Sequence, residues 1–298
     1  MTEKCTLCPR NCGVDRRNKK GYCNVGNIPI ISRAAKHMWE EPCISGERGS
    51  GTVFFSGCSL GCIYCQNHKI SRGETGIEVN LERLVKIYHS LEKSGVHNIN
   101  LVTGSHFVPI IAKSVERAKK EGIKIPFIYN TSSYEKAETL KMLDGLIDVY
   151  LPDFKYYDEN TSRKYSNAPD YPEIAKMAIG EMVRQCPKYE FDEEGIIRKG
   201  VIIRHMLIPG HVYEGKRIMK YLWETYGESV LYSIMSQYTP IRDFEEYPNL
   251  SRKVKGKEYD SLVDFCLELG MENAYIQEGD AAKESFIPDF DEVKIAEE

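Results

Sequence analysis

Three cysteines stand close together directly after a short apolar run. In the stretch FFSGCSLGCIYCQN they are Cys58, Cys62 and Cys65, spaced C-x3-C-x2-C and called the triad below. Three thiolates are one fewer than the four ligands of a closed structural zinc site, so a fourth ligand comes from elsewhere or one position stays open. A catalytic metal needs an open position because a substrate must bind to it. In a four-iron cluster, three cysteines would hold three irons and leave the fourth iron free.

The neighbouring residues of this loop suit a bulky metal centre. Small residues let the backbone wrap such a centre and bring N–H groups close to its sulfur atoms, and they stand at Gly57, Ser59 and Gly61. Tyr64, directly before the last cysteine, can shield the centre from water. Two other interpretations of the triad are zinc bound together with another cysteine, and a redox dithiol formed by Cys62 and Cys65.

A second group of cysteines lies near the start of the sequence. Cys5, Cys8, Cys12 and Cys23 are spaced C-x2-C-x3-C-x10-C in a segment with few apolar residues. Four thiols so close together indicate one closed metal site, whose turns are supplied by Gly13, Gly21 and Gly26. Zinc and a second [4Fe-4S] cluster both match the ligand count, and we slightly favour zinc. Cys43 lies between the two groups and is interpreted as a free thiol or a spare ligand.

Composition and cysteine usage limit the functional class. Of 298 residues, 42% are hydrophobic and 28% charged, with a formal net charge of −4 and a pI near 6.1. These values are typical of a globular protein, and we expect no nucleic-acid partner. No apolar run approaches the ~20 residues that span a bilayer, and the polar N-terminus does not resemble a signal peptide. We therefore expect a cytoplasmic protein without a membrane partner, whose cysteines serve metal, cluster or redox chemistry.

Strand-like and helix-like segments alternate after residue 50. The β-rich runs are 52–55, 98–103, 125–130, 147–151, 200–207 and 229–235, with a further candidate at 272–277. Helical spacing with a closing glycine marks NLERLVKIYHSLEKSG, FVPIIAKSVERAKKEG and EGKRIMKYLWETYG. This alternation predicts an α/β fold with a parallel sheet, as an open or partial barrel of six units. We divide the chain into a small Cys-rich metal-bound cap at 1–45 and a partial barrel with a C-terminal extension at 46–298.

The sequence resembles the radical S-adenosylmethionine superfamily through CSLGCIYC after a strand. Its wider pattern is similar to the pyruvate formate-lyase activating enzyme-like subfamily in LVTGSHFVP, YNTSSYE, YLPDFKYYD, IIRHMLIPGH and the tail YIQEGDAAKESFIPDF. The resemblance implies a partial (β/α)6 barrel and a [4Fe-4S] cluster on Cys58, Cys62 and Cys65. It also implies that S-adenosylmethionine chelates the open iron and is cleaved by one electron to methionine and a 5′-deoxyadenosyl radical, which takes a hydrogen atom from the substrate.

The resemblance also assigns residues after the second predicted strand to the cofactor. Thr103, Gly104 and Ser105 stand where the superfamily has a glycine-rich stretch ending in an acid that contacts the methionine amine. This chain has no acid there, so Ser105 or His106 is expected to take its place. An ordinary strand-to-helix turn is the alternative interpretation.

Further cofactor residues follow from LPDFKYYD. Asp153 and Lys155 flank Phe154, which stands where the activating enzymes have leucine, and strand alternation places both on one face. The resemblance pairs Lys155 with the cofactor carboxylate and makes Asp153 and Thr131 ligands of a monovalent cation, although Asn130 replaces an aspartate of that group. A surface Asp–Lys pair is the alternative.

Arg204 lies within a predicted strand, where a charged residue is costly unless it is paired. We expect it to face the barrel interior and meet the cofactor carboxylate. His205 would then face outward as a structural residue, and His211, after Pro209-Gly210, is a further candidate for the mouth of the site.

The sequence therefore predicts an anaerobic radical enzyme, reduced by a protein such as flavodoxin or ferredoxin. Its substrate is a glycyl radical enzyme, or alternatively another protein, a peptide or a small molecule. A non-catalytic zinc-binding scaffold and a thiol–disulfide oxidoreductase are the alternatives of other classes. The stretches 153–172 and 184–200 are candidates for a lid or a partner surface, or else plain surface loops.

Overall fold

The computed structural model describes residues 4–277, 290 and 293–295, and its main feature is a run of parallel strands. Their bounds are β2 Ser50–Phe55, β4 Ile99–Val102, β5 Phe127–Thr131, β6 Val149–Pro152, β8 Ile197–Met206, β9 Leu231–Met235 and β10 Ala274–Ile276. They neighbour one another in chain order, β2-β4-β5-β6-β8-β9-β10. Such an order is typical of a barrel-like winding, and it confirms the predicted α/β class with a parallel sheet.

Further strands extend the sheet at its edges. Strand β1, Ile30–His37, pairs antiparallel with β2, and β11, Lys294–Ile295, pairs parallel with β1. The two-residue strands β3, Ile77–Glu78, and β7, Glu190–Phe191, pair with β1 and β8. The β-rich runs in the sequence begin at residue 52, so β1 was not predicted. The segment ISRAAK within β1 is rich in small and charged residues and has low strand propensity. Pairing with the neighbouring strands of the sheet outweighs this low propensity. The division at residue 45 stays a prediction.

Helices cover the outer face of the sheet. The longer ones are α3 Leu81–Lys93, α4 Val108–Lys120, α6 Glu159–Ser166, α7 Tyr171–Gln185, α8 Val212–Tyr226 and α9 Gly256–Glu268. Four-residue helices are α1 Pro42–Ser45, α2 His68–Ser71 and α5 Ala137–Leu140, and 3-10 turns span 105–107, 141–143, 227–229 and 248–251. Within the stretch 153–172, Tyr156, Tyr165 and Tyr171 are buried, and a role of this stretch as a lid or partner surface stays a prediction. No helix in the described part of the chain has the length and apolar character needed to cross a membrane.

Strand alternation separates two apolar layers. Outward side chains such as Tyr129, Tyr150 and Tyr232 join the large core beneath the helices. The inward side chains near the amino ends of the strands form a second cluster with Cys43 and Ile44 of α1; they are Ile128, Val149, Leu151, Ile197, Ile202 and Leu231. Helix α1 therefore plugs the amino end of the barrel, and the interior stays open only toward the carboxyl ends of the strands.

Candidate functional site

A cavity of about 490 Å³ lies at the carboxyl ends of the parallel strands. All three cysteines of the triad line it. So do most of the other residues that the sequence predicted for the cofactor: Tyr64, Thr103, Thr131, Asp153, Lys155 and Arg204. Gly104 and Ser105 do not line it. The structure thus brings together side chains from the loops after β2, β4, β5 and β6 and from β8, as a parallel barrel requires of its functional residues.

The triad loop is shaped around open space. Gly57 and Gly61 have φ values of +87° and +67°, which favour glycine. A Cβ on Gly61 would meet no atom within 4 Å, so there is room beside this residue for a bulky group. A Cβ on Gly57 would lie 2.5 Å from the carbonyl oxygen of Cys23, so the loop leans directly on the N-terminal segment. The residues present therefore suit an iron–sulfur cluster in the loop.

The donor set of the triad points to a cluster. Burial raises the pKa of Cys58 to about 12, against N–H groups of Gly61 and Leu60 that favour its thiolate. A metal must therefore displace a proton from this thiol when it binds. Among the described residues, no three His, Cys, Asp or Glu side chains converge as one metal ion requires. Thiols that each hold a different iron need no such convergence.

Tyr64 forms an aromatic wall on the cavity. Its ring is buried between those of Tyr156, Tyr165 and Tyr238, with centroid separations of 6.4, 6.1 and 5.9 Å. Burial raises the pKa of Tyr64, and the nearby Cys62 raises it further, so the phenol stays neutral. The side chain borders the cavity that the triad lines, and its predicted shielding of a bound centre from water stays a prediction.

A layer of polar side chains crosses the barrel above the plug. Arg204 donates from Nε to Asp153 Oδ1 at 2.8 Å, from one terminal nitrogen to Glu40 Oε2 at 3.1 Å and from the other to Asn130 Oδ1 at 2.8 Å. Lys155 Nζ donates to the second oxygen of Asp153 at 2.7 Å. Arg204 therefore faces the interior, and its guanidinium is held in place by protein groups.

The charges of this layer are set by burial and by one another. Burial opposes the charge of Arg204, but Asp153, Glu41 and Glu40 outweigh it and raise its pKa. Burial likewise opposes ionisation of Asp153, yet Arg204 and Lys155 hold its pKa below the usual range. For Glu40 and Glu41 burial prevails over Arg204 and raises the pKa of both carboxyls. The layer holds a fixed ion pair beside carboxyls that bind protons readily.

Sequence reasoning did not identify Glu40 and Glu41 as site residues. Both line the cavity, and Glu41 Oε2 lies 3.8 Å from the guanidinium of Arg204 without a hydrogen bond. They follow the end of β1, a strand that was also not predicted from the sequence. The sequence signal that could have identified them is the pair of adjacent acids directly before Pro42. Two neighbouring acids at the start of a short helix can both point toward the interior.

Thr103 has an unusual backbone conformation at the end of β4. Its φ is +60°, a region that β-branched residues rarely occupy. Strain of this kind persists where the surrounding structure imposes it, often at functional sites. Thr103 N–H donates to Asn130 O at 2.9 Å, which holds the residue against the next strand.

Replacing Thr103 by glycine is expected to stabilise the fold. Relief of the strained φ outweighs the greater freedom of glycine in the unfolded chain, for a net gain of about 1 kcal/mol. The free energy of unfolding in urea measures this gain. Thr52→Gly, within β2, is the control and should lower stability; an equal loss in both variants would contradict the strain.

Ser105 and Gly104 serve the packing of the loop. Ser105 Oγ donates to Glu135 Oε1 at 2.6 Å and is buried away from the cavity. A Cβ on Gly104 would lie 2.4 Å from Ile111 Cδ1 of α4, so only glycine permits this approach. Both residues therefore support Thr103 on the side that faces away from the cavity. A contact of Ser105 with the cofactor stays a prediction.

Glu135 collects three hydroxyl groups beneath the site. Its Oε1 accepts from Ser105, from Thr131 at 2.6 Å and from Tyr129 at 3.1 Å, while Oε2 is buried without a hydrogen-bond partner. Burial raises the pKa of Glu135, and no cation offsets this effect. The native state therefore retains a proton that the unfolded chain releases above its ordinary pKa of 4.5.

Glu135→Gln is expected to change the pH dependence of stability. Because the folded pKa is raised, the wild type should lose up to about 1.4 kcal/mol per pH unit as pH rises from the unfolded toward the folded pKa. The glutamine variant keeps the acceptor and should lack this contribution. Unfolding in urea from pH 4.5 to 8 measures the difference, and parallel curves for the two proteins would contradict it.

The remaining candidates lie outside the cavity. His205 is buried on the helix side, where Nδ1 lies 2.8 Å from Phe154 O. His211 bonds Tyr165 and Glu214 and does not line the cavity. Cys43 is buried in the plug, and Cys186 and Cys266 are buried singly in the core. The N-terminal cysteines lie beside the triad loop, in contact with it through Cys23 and Gly57.

Comparison with known proteins shows similarity to the following three. An uncharacterized protein of Methanocaldococcus jannaschii, MJ0674, is 27% identical over 285 residues, covering 92% of this chain and 77% of that protein. A domain of pyruvate-formate lyase-activating enzyme from Bacteroides vulgatus has a TM-score of 0.40 at 13% identity, covering 57% of this chain and 91% of that chain. Methylornithine synthase has a TM-score of 0.46 at 14% identity, covering 87% and 78%. These scores do not bear on the substrate.

A match to a protein-family model shows the family to which this chain belongs. It is the model of the Radical SAM superfamily, and it matches residues 52–222, from β2 through α8. The matched region contains the triad, Tyr64, Thr103, Asp153, Lys155 and Arg204. Since the match spans more than half of the chain, the protein belongs to the Radical SAM superfamily.

Proposed function

We propose that this radical S-adenosylmethionine enzyme removes a hydrogen atom from a substrate held in the cavity above the polar layer. Membership of the superfamily implies a [4Fe-4S] cluster and S-adenosylmethionine. When bound, these cofactors supply a one-electron cleavage that yields a 5′-deoxyadenosyl radical. The observation that carries the proposal is that Cys58, Cys62 and Cys65 share one cavity with Lys155 and Arg204.

The chain's own residues would bind and orient the cofactors. The three thiols would hold the cluster, and Tyr64 would keep water from it. The ammonium of Lys155 has three N–H donors, of which one bonds Asp153. The others suit the carboxylate of S-adenosylmethionine. The guanidinium of Arg204 is already shared among Asp153, Glu40 and Asn130, so we assign it to orienting Asp153 rather than to the cofactor.

Lys155→Met tests the assignment of the ammonium. Loss of one charge-assisted contact should weaken the binding of S-adenosylmethionine by about 10- to 100-fold. Equilibrium dialysis against the reconstituted protein measures the affinity, and the iron content should not change. Lys119→Met is a matched control, since Lys119 bonds Asp148 at 2.9 Å away from the cavity. Unchanged affinity in Lys155→Met would contradict the assignment.

A protein substrate is the second candidate, with a glycyl radical enzyme as the specific case. A depression of about 480 Å³ adjoins the cavity and shares Trp39, Glu40 and Pro42 with it. Met38 and Trp39, which are 38% and 56% exposed, form an adjacent pair of large apolar side chains on its wall. A polypeptide segment could follow this depression into the cavity.

The substrate proposal calls for a direct assay. Reduced flavodoxin or ferredoxin would serve as the physiological one-electron donor, with dithionite as its chemical replacement. Incubation with S-adenosylmethionine and a glycyl radical enzyme should give the electron paramagnetic resonance doublet of a glycyl radical. Formation of 5′-deoxyadenosine without that doublet would retain the radical chemistry and direct the search to another protein, a peptide or a small molecule.

A further inference from the structure

The N-terminal cysteines form a second group of thiols next to the triad. We propose that Cys5, Cys8, Cys12 and Cys23 hold a second iron–sulfur cluster, which orders the segment that supports the triad loop. This reverses the slight preference for zinc that their spacing suggested. The inference is independent of the substrate and of the catalytic role of the triad.

Residues 4–28 have almost no core of their own. Their only buried apolar side chains are those of Cys8, Cys23 and Val25, and the segment contains no helix or strand. Ordering a residue costs about 1–2 kcal/mol of backbone entropy, far more than so few contacts return. The cysteines are all free thiols, so no disulfide offsets the cost. A bound metal centre would offset this entropic cost, because its binding free energy contributes to folding.

Backbone N–H groups lie beside two of the four sulfur atoms. Those of Arg10 and Val14 favour the thiolate forms of Cys8 and Cys12, whereas the Cys23 thiol donates to Val25 O, with Sγ 3.9 Å from the oxygen. The N–H of Tyr22 also donates to Cys12. Such donors stabilise sulfur that carries negative charge, as in metal-bound thiolates.

The chain passes close to two of the sulfur atoms. Gly21 lies over two of them, because a Cβ there would be 3.3 Å from Cys23 Sγ and 3.5 Å from Cys12 Sγ. Asn24 and Gly13, which follow these cysteines, have φ values of +65°, so the chain turns sharply after each sulfur. Any side chain at position 21 would enter the space that a metal centre needs.

The arrangement of the thiols favours a cluster over a single zinc ion. Around one tetrahedral zinc ion, sulfur atoms lie about 3.8 Å apart. In the described chain, no three cysteines approach a common ion position in this way, either here or at the triad. In a cluster each sulfur binds its own iron, so the sulfur atoms stand farther apart. The N-terminal group therefore has the same character as the group for which the superfamily implies a cluster.

Contacts join this group to the triad loop. Arg10, two residues after Cys8, donates from Nε to Ser59 O at 2.8 Å and from a terminal nitrogen to Leu60 O at 3.0 Å. The guanidinium lies 4.0 Å from the ring centroid of Tyr22. Residues 59 and 60 lie between Cys58 and Cys62, so Arg10 fixes the backbone of the triad from the side of the N-terminal group.

Metal analysis of a variant without the triad tests the proposal. The triple variant Cys58→Ala, Cys62→Ala, Cys65→Ala would be reconstituted anaerobically with iron and sulfide, then desalted. We expect about four irons and four sulfides per chain, against about eight of each in the wild type. Cys8→Ala, Cys23→Ala should also bind about four of each, at the triad. Cys186→Ala, Cys266→Ala is the control and should retain the wild-type content.

Two results would overturn the proposal. One is a wild type with about four irons and one zinc per chain; the other is a triple variant that has wild-type circular dichroism but binds no iron and sulfide. If the triple variant does not fold, the wild-type count of iron, sulfide and zinc decides alone. Neither result would affect the proposed radical chemistry, which depends on the triad.

Discussion

Cys58→Ala is expected to abolish formation of 5′-deoxyadenosine. Two remaining thiols cannot hold three irons of the triad cluster, and without that cluster S-adenosylmethionine has no open iron to bind when it receives the electron for its cleavage. Product should fall to the level seen without protein. The reconstituted variant should have lost about four irons relative to the wild type. Liquid chromatography of the nucleoside and iron analysis of the same sample measure both effects.

Cys43→Ala is the matched control for this experiment. Cys43 is a buried thiol of the plug, and its side chain belongs to a separate apolar cluster. It should retain the iron content and the product of the wild type. A Cys58→Ala variant that still forms 5′-deoxyadenosine at the wild-type rate would rule out the triad as the cluster site. If Cys58→Ala loses no iron and still carries out dithiol–disulfide exchange, the result would favour an oxidoreductase that uses Cys62 and Cys65.

Arg204→Ala is expected to destabilise the fold by about 3–5 kcal/mol, because it removes the cation that bridges the buried carboxyl groups of Asp153 and Glu40. Asp153 and Glu40 would each lose a hydrogen-bonded charge partner inside the barrel. The free energy of unfolding in urea measures the loss. Because Asp153 would then hold Lys155 differently, the affinity for S-adenosylmethionine should fall as well.

Arg184→Ala is the control for the loss of an arginine with two acidic partners. Arg184 bonds Glu181 and Asp144 on the surface, where its side chain is 54% exposed. Water screens these contacts, so the control should lose far less stability. Equal losses in Arg184→Ala and Arg204→Ala would show that the polar layer has no special role in the fold.

Much of the architecture could be predicted because its signals are local. Each parallel strand is a β-rich run of apolar residues bounded by turns, and the helices α3, α4 and α8 have clear 3.6-residue periodicity. Alternation within β8 was enough to place Arg204 inside and His205 outside. The spacing of Cys58, Cys62 and Cys65 likewise lies within one loop, so no long-range contact was needed to identify it.

The missed features depend on contacts between distant parts of the chain. Glu40 belongs to the site only because β1 returns antiparallel to β2 and carries it to Arg204, 164 residues away. Ser105 is directed away from the cavity by Glu135, which no local pattern reveals. The role of Arg10 is equally hidden, since its partners Ser59 and Leu60 lie about fifty residues later. The periodicity of apolar residues along the sequence does not reveal which residues pair with a buried charge.

Formation of 5′-deoxyadenosine by the reconstituted wild type tests the central claim most directly. The protein would be purified without oxygen, loaded with iron and sulfide, analysed for iron and zinc, and then given dithionite and S-adenosylmethionine. We predict 5′-deoxyadenosine that requires both reagents and the iron–sulfur content. Zinc in place of iron at the triad, with no 5′-deoxyadenosine, would contradict the account and show that Cys58, Cys62 and Cys65 form a structural site.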